Sequence, residues 1–103
     1  MNLTGEENHD FPLDKASEWT SNYRKANPDA IKGHYFGRKA IRRMLSQKGC
    51  VGMRVYYALN ELGVKQLIIT GVDAEGNDLY EGILAERSRP CPPLCGKKNP
   101  LNS

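Results

Sequence analysis

The chain has 103 residues, 39% of them hydrophobic, and a formal net charge of +3. A chain of this length hides about 65% of its unfolded surface, enough for one two-layer domain and too little for a substrate domain stacked on a cofactor domain. This weighs against most multi-substrate enzymes acting as monomers. A transmembrane helix is excluded as well, because the longest hydrophobic run, residues 55–59, falls far short of the roughly 20 residues that a span needs.

The two ends of the chain are polar. The first ten residues are mostly polar or acidic, have little to bury, and predict a disordered tail over residues 1–10. They also lack the basic and apolar regions of a secretory signal, so we expect a cytoplasmic protein. Residues 97–103 predict a second disordered tail. A single domain is expected between them, over residues 11–96.

An amphipathic helix is predicted over about residues 12–26. Apolar side chains recur there at spacings of three and four, and charged side chains fill most of the opposite side. The helix is expected to end at Asn27, because Pro28 disfavours helical geometry in the residue before it. Trp19 is the largest side chain of the apolar stripe, and we expect it to lie in the core.

A short strand over residues 31–36 and a second amphipathic helix over about residues 37–47 are predicted next. One side of this second helix is apolar, whereas the other side carries four basic residues within about 140° of arc. These four residues, the basic face, are Arg38, Lys39, Arg42 and Arg43. Residues 31–60 contain seven basic residues and no acidic one, so part of the surface is expected to be positive.

After Gly49 the apolar period drops to two, which is typical of β-strands. Residues 50–59 and 64–72 predict a hairpin with a four-residue connection, and residues 79–85 predict a last strand. The expected fold is α+β, with two amphipathic helices packed on a small, mostly antiparallel sheet of three to four strands.

Three segments carry a resemblance to a known family. They read GCVGMRVYY at residues 49–57, GVDAEGND at residues 71–78 and CPPLC at residues 91–95. Over about residues 12–95 the chain resembles a family of short bacterial proteins of uncharacterised function. The resemblance implies an architecture and no activity.

The cysteines are the residues with the most evident chemistry. Cys91 and Cys95 have the C-x(2–4)-C spacing of many zinc sites, and Cys50, His34 or His9 would complete the ligands. Two prolines between Cys91 and Cys95 oppose a tight metal-binding turn, so a disulfide and free thiols stay open as alternatives. A cysteine nucleophile activated by His34 is the enzyme interpretation, although the spacing shows no such contact.

The sequence contains no complete catalytic motif and no phosphate-binding or EF-hand loop, so a non-catalytic function is favoured and no catalytic residue is assigned. We expect a binding or assembly module in which the basic face or an exposed strand edge engages a protein partner or a second copy. The alternative is a nucleic-acid-binding module that contacts phosphates through the basic face. Zinc is a candidate cofactor for either, and a merely solvated helix face is the plainer explanation of the charges.

Overall fold

The structure, a computed structural model, describes residues 1–102. Within this range it contains the helices α1 (Leu13–Ala26) and α2 (Arg38–Leu45), neither of which is long and apolar enough to cross a membrane. The strands are β1 (Gly33–Tyr35), β2 (Cys50–Leu59), β3 (Lys65–Asp73), β4 (Leu84–Ala85) and β5 (Arg89–Cys91).

The strands form two antiparallel sheets. One contains β1 and β5, and the other contains β2, β3 and β4 in that order. The predicted α+β class is confirmed, with two small sheets in place of the single sheet that the sequence suggested.

The chain divides into two compact units. Unit 1 comprises Met1–Glu7 and Phe36–Ser88, and unit 2 comprises Asn8–Tyr35 together with the chain from Arg89 onward. Chains of about 60 residues or fewer are marginal as independent domains. The single domain over residues 11–96 therefore stays a prediction.

The core of unit 1 lies where α2 packs on β2 and β3. Met44, Ile69 and Val72 are its buried apolar side chains, and Thr70 is buried beside them with its hydroxyl donating to the Gly71 carbonyl at 3.1 Å. Met44 is the only large side chain among the described residues that is exposed by less than 2%. Because this core is small, we expect the stability of unit 1 to depend strongly on Met44.

The Gln47 side chain joins the end of α2 to the loop before β4. Its amide nitrogen donates to the Met44 carbonyl and its oxygen accepts the Ile83 N–H, both at 2.9 Å. The backbone approaches this side chain closely on two sides: a Cβ on Gly82 would overlap Oε1, and a Cβ on Gly71 would lie 2.9 Å from Nε2. Glycine at both positions therefore leaves room for Gln47.

The last predicted strand is mostly a turn. Leu84 and Ala85 pair with β3 as a strand, and the Leu79 N–H donates to the Gly71 carbonyl of β3 at 2.8 Å, whereas the Gly82 N–H donates to the Leu79 carbonyl at 3.0 Å. The prediction of a strand over residues 79–85 is wrong for its first five residues, because the hydrogen bond from Gly82 to Leu79 closes a turn there.

Unit 2 contains α1 and the β1–β5 sheet. α1 begins after Pro12 and ends at Asn27, as the sequence predicted, but none of its residues is buried. Trp19 is 60% exposed and rests against the ring of Phe11, with the ring centroids 4.6 Å apart. The prediction that Trp19 lies in a core is therefore wrong. The strands β1 and β5 have three residues each, which is too little surface to cover the apolar side of α1.

The amino-terminal segment Met1–Glu7 contacts the turn that follows β3. The Leu3 N–H donates to the Ala74 carbonyl at 2.7 Å, and Met1 packs so closely on Gly76 that a Cβ there would lie 2.5 Å from its sulfur. The sequence predicted no partner for this segment because it carries only two apolar side chains. One of the observed contacts is made by the backbone, which composition does not reveal.

Candidate functional site

The β2–β3 hairpin supplies the two longest strands of the described residues. Its register pairs Met53 with Gly71, Val55 with Ile69 and Tyr57 with Leu67. The register shifts once, between Cys50 and Gly52, which places a bulge at the base of β2. Beyond the bulge the strand is regular, so its side chains alternate strictly between the two faces.

One face of β2 is apolar and largely uncovered. We call it the hairpin face, and it consists of Met53, Val55, Tyr57 and Leu59. Their exposed fractions are 40%, 45%, 92% and 69% in that order. Exposure is therefore greatest at Tyr57 and Leu59, the two residues nearest the tip of the hairpin.

The lengths of the two elements explain why this face stays open. α2 has 8 residues and spans about 12 Å, whereas the 10 residues of β2 extend over about 33 Å. At the base, Gly71 faces Gln47 and Cys50, since a Cβ on Gly71 would lie 3.0 Å from the Cys50 sulfur. The helix and its following turn cover this base and cannot reach the tip.

β2 is also an edge strand. Among residues 1–102 it pairs with β3 on one side and with no strand on the other. At its base Gly5 lies against the Val51 carbonyl, whereas Met53–Leu59 has no backbone partner beyond β3 within residues 1–102. This open edge presents unpaired N–H and C=O groups beside the hairpin face, the arrangement on which another strand can pair.

The basic face of α2 is exposed as predicted. Arg38, Lys39, Arg42 and Arg43 all point to solvent, and within the described part of the chain none of them forms an ion pair. The first turn of α2 holds no acidic residue, so Arg38 and Lys39 stand at the helix end where the dipole disfavours cations. The arrangement leaves four positive charges without internal compensation.

The opposite face of β2 carries a polar cluster that the sequence did not reveal. Arg54 Nη1 contacts Asp78 Oδ1 at 2.5 Å and donates to the Gly76 carbonyl at 3.0 Å. The Tyr56 hydroxyl donates to the other carboxylate oxygen of Asp78. The cluster links the turn after β3 to β2. Its residues are 22 to 24 positions apart in the sequence, so no local pattern predicts their contact.

Charge and hydrogen bonding shift the pKa values within this cluster. The Tyr56 hydroxyl, followed by the Arg54 guanidinium, holds the pKa of Asp78 below its ordinary value of 3.8. The same hydrogen bond to Asp78 raises the pKa of Tyr56 above 10.0, and Asp78 also raises the pKa of Arg54. The cluster is therefore held in its ionised Arg54–Asp78, neutral Tyr56 form at neutral pH.

We expect the stabilisation from this cluster to depend on pH at both extremes. It is fully present above pH 3.8 and lost as the pH falls through the lowered pKa of Asp78, and it is lost again above pH 10.0 as Tyr56 ionises. Urea unfolding should show wild type more stable than Asp78→Asn at pH 7, with the difference in unfolding free energy narrowing as the pH falls below 3.8. Glu75→Gln, which removes an exposed charge from the same turn, should show no such gap. A gap that persists undiminished at pH 2 would contradict the assignment.

The predicted zinc ligands are not assembled in the structure. Cys91 and Cys95 form a disulfide with their Cα atoms 4.7 Å apart, so neither has a thiolate to offer a metal. Cys50 is free and belongs to unit 1, where its thiol donates to the Gly52 carbonyl at 3.2 Å. His34 lies opposite Pro90 in the β1–β5 sheet of unit 2.

The disulfide is one of the alternatives that the sequence left open. In the part of the chain that the structure describes, no group of three or more His, Cys, Asp or Glu side chains is placed to hold a metal ion. Zinc binding by Cys50, Cys91, Cys95 and His34 stays a prediction that applies only to the reduced chain. A cysteine nucleophile activated by His34 likewise stays a prediction.

Unit 1 also has an open cleft of about 440 Å³ beside the turn before β4, lined by Gln47, Lys48, Asp78, Leu79, Tyr80, Glu81 and Gly82. Ligand pockets usually enclose their ligand with apolar walls and a few convergent polar groups. Here Asp78 is already tied to Arg54 and Tyr56, and Gln47 to Ile83. We therefore assign this cleft no ligand.

Comparison with protein-family models, with curated proteins and with solved structures found no match to this chain. The resemblance to short bacterial proteins stays a prediction. The hairpin face, the open edge and the basic face are therefore the features of this chain that bear on its function.

Proposed function

We propose that this chain is a non-catalytic binding and assembly module that engages a protein partner or a second copy through β2. The observation that carries the proposal is the row of four exposed apolar side chains beside an unpaired strand edge. Exposed apolar patches mark interaction sites, and an open edge accepts another strand by backbone hydrogen bonding. Natural proteins usually protect long apolar strand edges from pairing, so an unprotected edge indicates a binding site for another strand.

Substituting lysine on the hairpin face tests this function. In the tag-free protein, Tyr57→Lys is expected to abolish the association that native mass spectrometry and sedimentation detect for wild type, because a charge replaces the most exposed apolar side chain. Tyr80→Lys is the matched control, since Tyr80 is 70% exposed and lies outside the hairpin. A wild-type chain that forms a complex neither with itself nor with another protein, or a Tyr57→Lys chain that associates like wild type, would overturn the proposal.

The basic face favours one second candidate, a nucleic-acid-binding module. Its support is the set of four exposed cations of α2, which could replace the counterions of phosphates. Oligonucleotide affinity should then fall steeply with salt and be lost in a variant that carries both Arg42→Glu and Arg43→Glu. The same variant should leave the association through β2 unchanged.

The cytoplasmic location that the sequence predicts stays a prediction. The Cys91–Cys95 disulfide counts against it, because disulfides persist mainly in oxidising compartments. The binding function proposed for β2 does not depend on the location, since the cysteine pair lies in unit 2.

A further inference from the structure

The apolar positions of β2 are symmetric about one residue. The hairpin face lies at residues 53, 55, 57 and 59, one and three positions on either side of Tyr56. In an antiparallel pair of two such strands with Tyr56 opposite Tyr56, Met53 of one copy faces Leu59 of the other. Val55 faces Tyr57 in the same way, so every apolar residue of the face meets another one.

We infer that the occupant of the β2 edge is a second copy of this chain, paired antiparallel with Tyr56 on the two-fold axis. The inference deepens the proposed function and rests on it. A two-fold interface must be self-complementary, because each contact occurs twice with the partners exchanged. The symmetry of β2 about Tyr56 fulfils this requirement.

The charges on the strand permit the pairing. Arg54 is the only charged residue of β2, and Asp78 of the same copy neutralises it. In the inferred register Arg54 faces Ala58 of the second copy, so like charges do not stand opposite each other. The stretch Met53–Leu59 contains no lysine, acidic residue or proline, which are the residues that protect edge strands from pairing.

The pairing also uses the part of β2 that the chain leaves free. The bulge and Gly5 occupy the base of the strand at Val51, whereas Met53–Leu59 is regular and open. The joined sheet has the strand order β4-β3-β2-β2-β3-β4, with both hairpin faces on the same side. Apolar and aromatic side chains directly opposite each other across the junction stabilise such a pair.

Engineered cysteines test the register. In the Cys50→Ser background an added cysteine is the only free thiol, since Cys91 and Cys95 are bonded to each other. Opposite residues of antiparallel strands have Cα atoms about 4.5 to 5.5 Å apart, which is within the range of a disulfide. Tyr56→Cys is therefore expected to form a covalent dimer with oxidised glutathione, at least tenfold more than the controls.

Two controls lie on the same strand. Ala58→Cys places the two sulfurs four residues out of register, about 13 Å along the strands, and Tyr57→Cys places them two residues out of register. Both separations exceed the reach of a disulfide. Preferential cross-linking of Tyr57→Cys would overturn the inferred register, because it would indicate a shifted strand or face-to-face packing.

A second pair of variants keeps the test independent of the Tyr56–Asp78 hydrogen bond. Mixing Met53→Cys chains with Leu59→Cys chains, each in the Cys50→Ser background, is expected to give the mixed dimer and little of either homodimer. Wild-type protein that sediments as a monomer at about 1 mM would overturn the inference. If wild type is monomeric but another protein binds it and does not bind Tyr57→Lys, the proposed function stands and the inference of a second copy at β2 is wrong.

Discussion

Met44→Ala is expected to destabilise unit 1 by about 2–5 kcal/mol, the usual cost of truncating a buried methionine. Met44 is 1% exposed, and Ile69 and Val72 are the other buried apolar side chains of the described residues. A core this small has few side chains that can move to fill the cavity. The free energy of unfolding measured with urea, followed by circular dichroism at one protein concentration, gives the loss.

Leu45→Ala is the matched control for Met44→Ala. Leu45 is the next residue of α2 and is 44% exposed, so its truncation leaves no closed cavity and is expected to cost less than about 1 kcal/mol. Trp19 reports on unit 2, and its fluorescence therefore shows whether that unit unfolds in the same step. Equal losses for the two variants would mean that α2 does not pack on β2 and β3 through Met44.

Gln47→Ala is expected to cost about 1–3 kcal/mol, because it leaves the half-buried Ile83 N–H without its acceptor. Gln47→Glu separates the two hydrogen bonds of the side chain. A carboxylate still accepts from Ile83 but sets an acceptor oxygen against the Met44 carbonyl, so Gln47→Glu keeps the first hydrogen bond and loses the second.

Amide exchange of Ile83 gives the local readout for the two Gln47 variants. The amide should exchange faster in Gln47→Ala and stay protected in Gln47→Glu. Unchanged protection of Ile83 in Gln47→Ala would contradict the role of Gln47 in holding the loop before β4.

The local elements were predictable because their signals are local. The apolar spacing of α1 and the position of Pro28 predicted a helix over about residues 12–26, and the observed helix is Leu13–Ala26. The period of two after Gly49 set β2 at its observed bounds, Cys50–Leu59. The basic face was predictable for the same reason, since four cations at helical spacing need only the helix to share one side.

Which apolar faces stay exposed was not predictable, because exposure depends on what covers each face. Tyr57 and Trp19 both belong to apolar patterns that predict burial, and both are exposed, at 92% and 60%. A pattern gives the face of an element but not the length of its neighbour, and α2 is too short to cover β2. Which strand keeps an open edge, whether Cys91 and Cys95 are bonded, and the Arg54–Asp78 pair depend likewise on contacts that only the folded chain defines.

Amide hydrogen exchange of β2 is the most direct measurement of whether this edge is an interaction surface. The tag-free protein would be measured in its associated form and after dilution to the monomer. Within Met53–Leu59, the amides that point away from β3 are expected to be protected in the associated form and to exchange quickly on dilution, with α1 unchanged. Fast exchange of these amides in both forms, together with new protection elsewhere in the chain, would contradict an interface at β2.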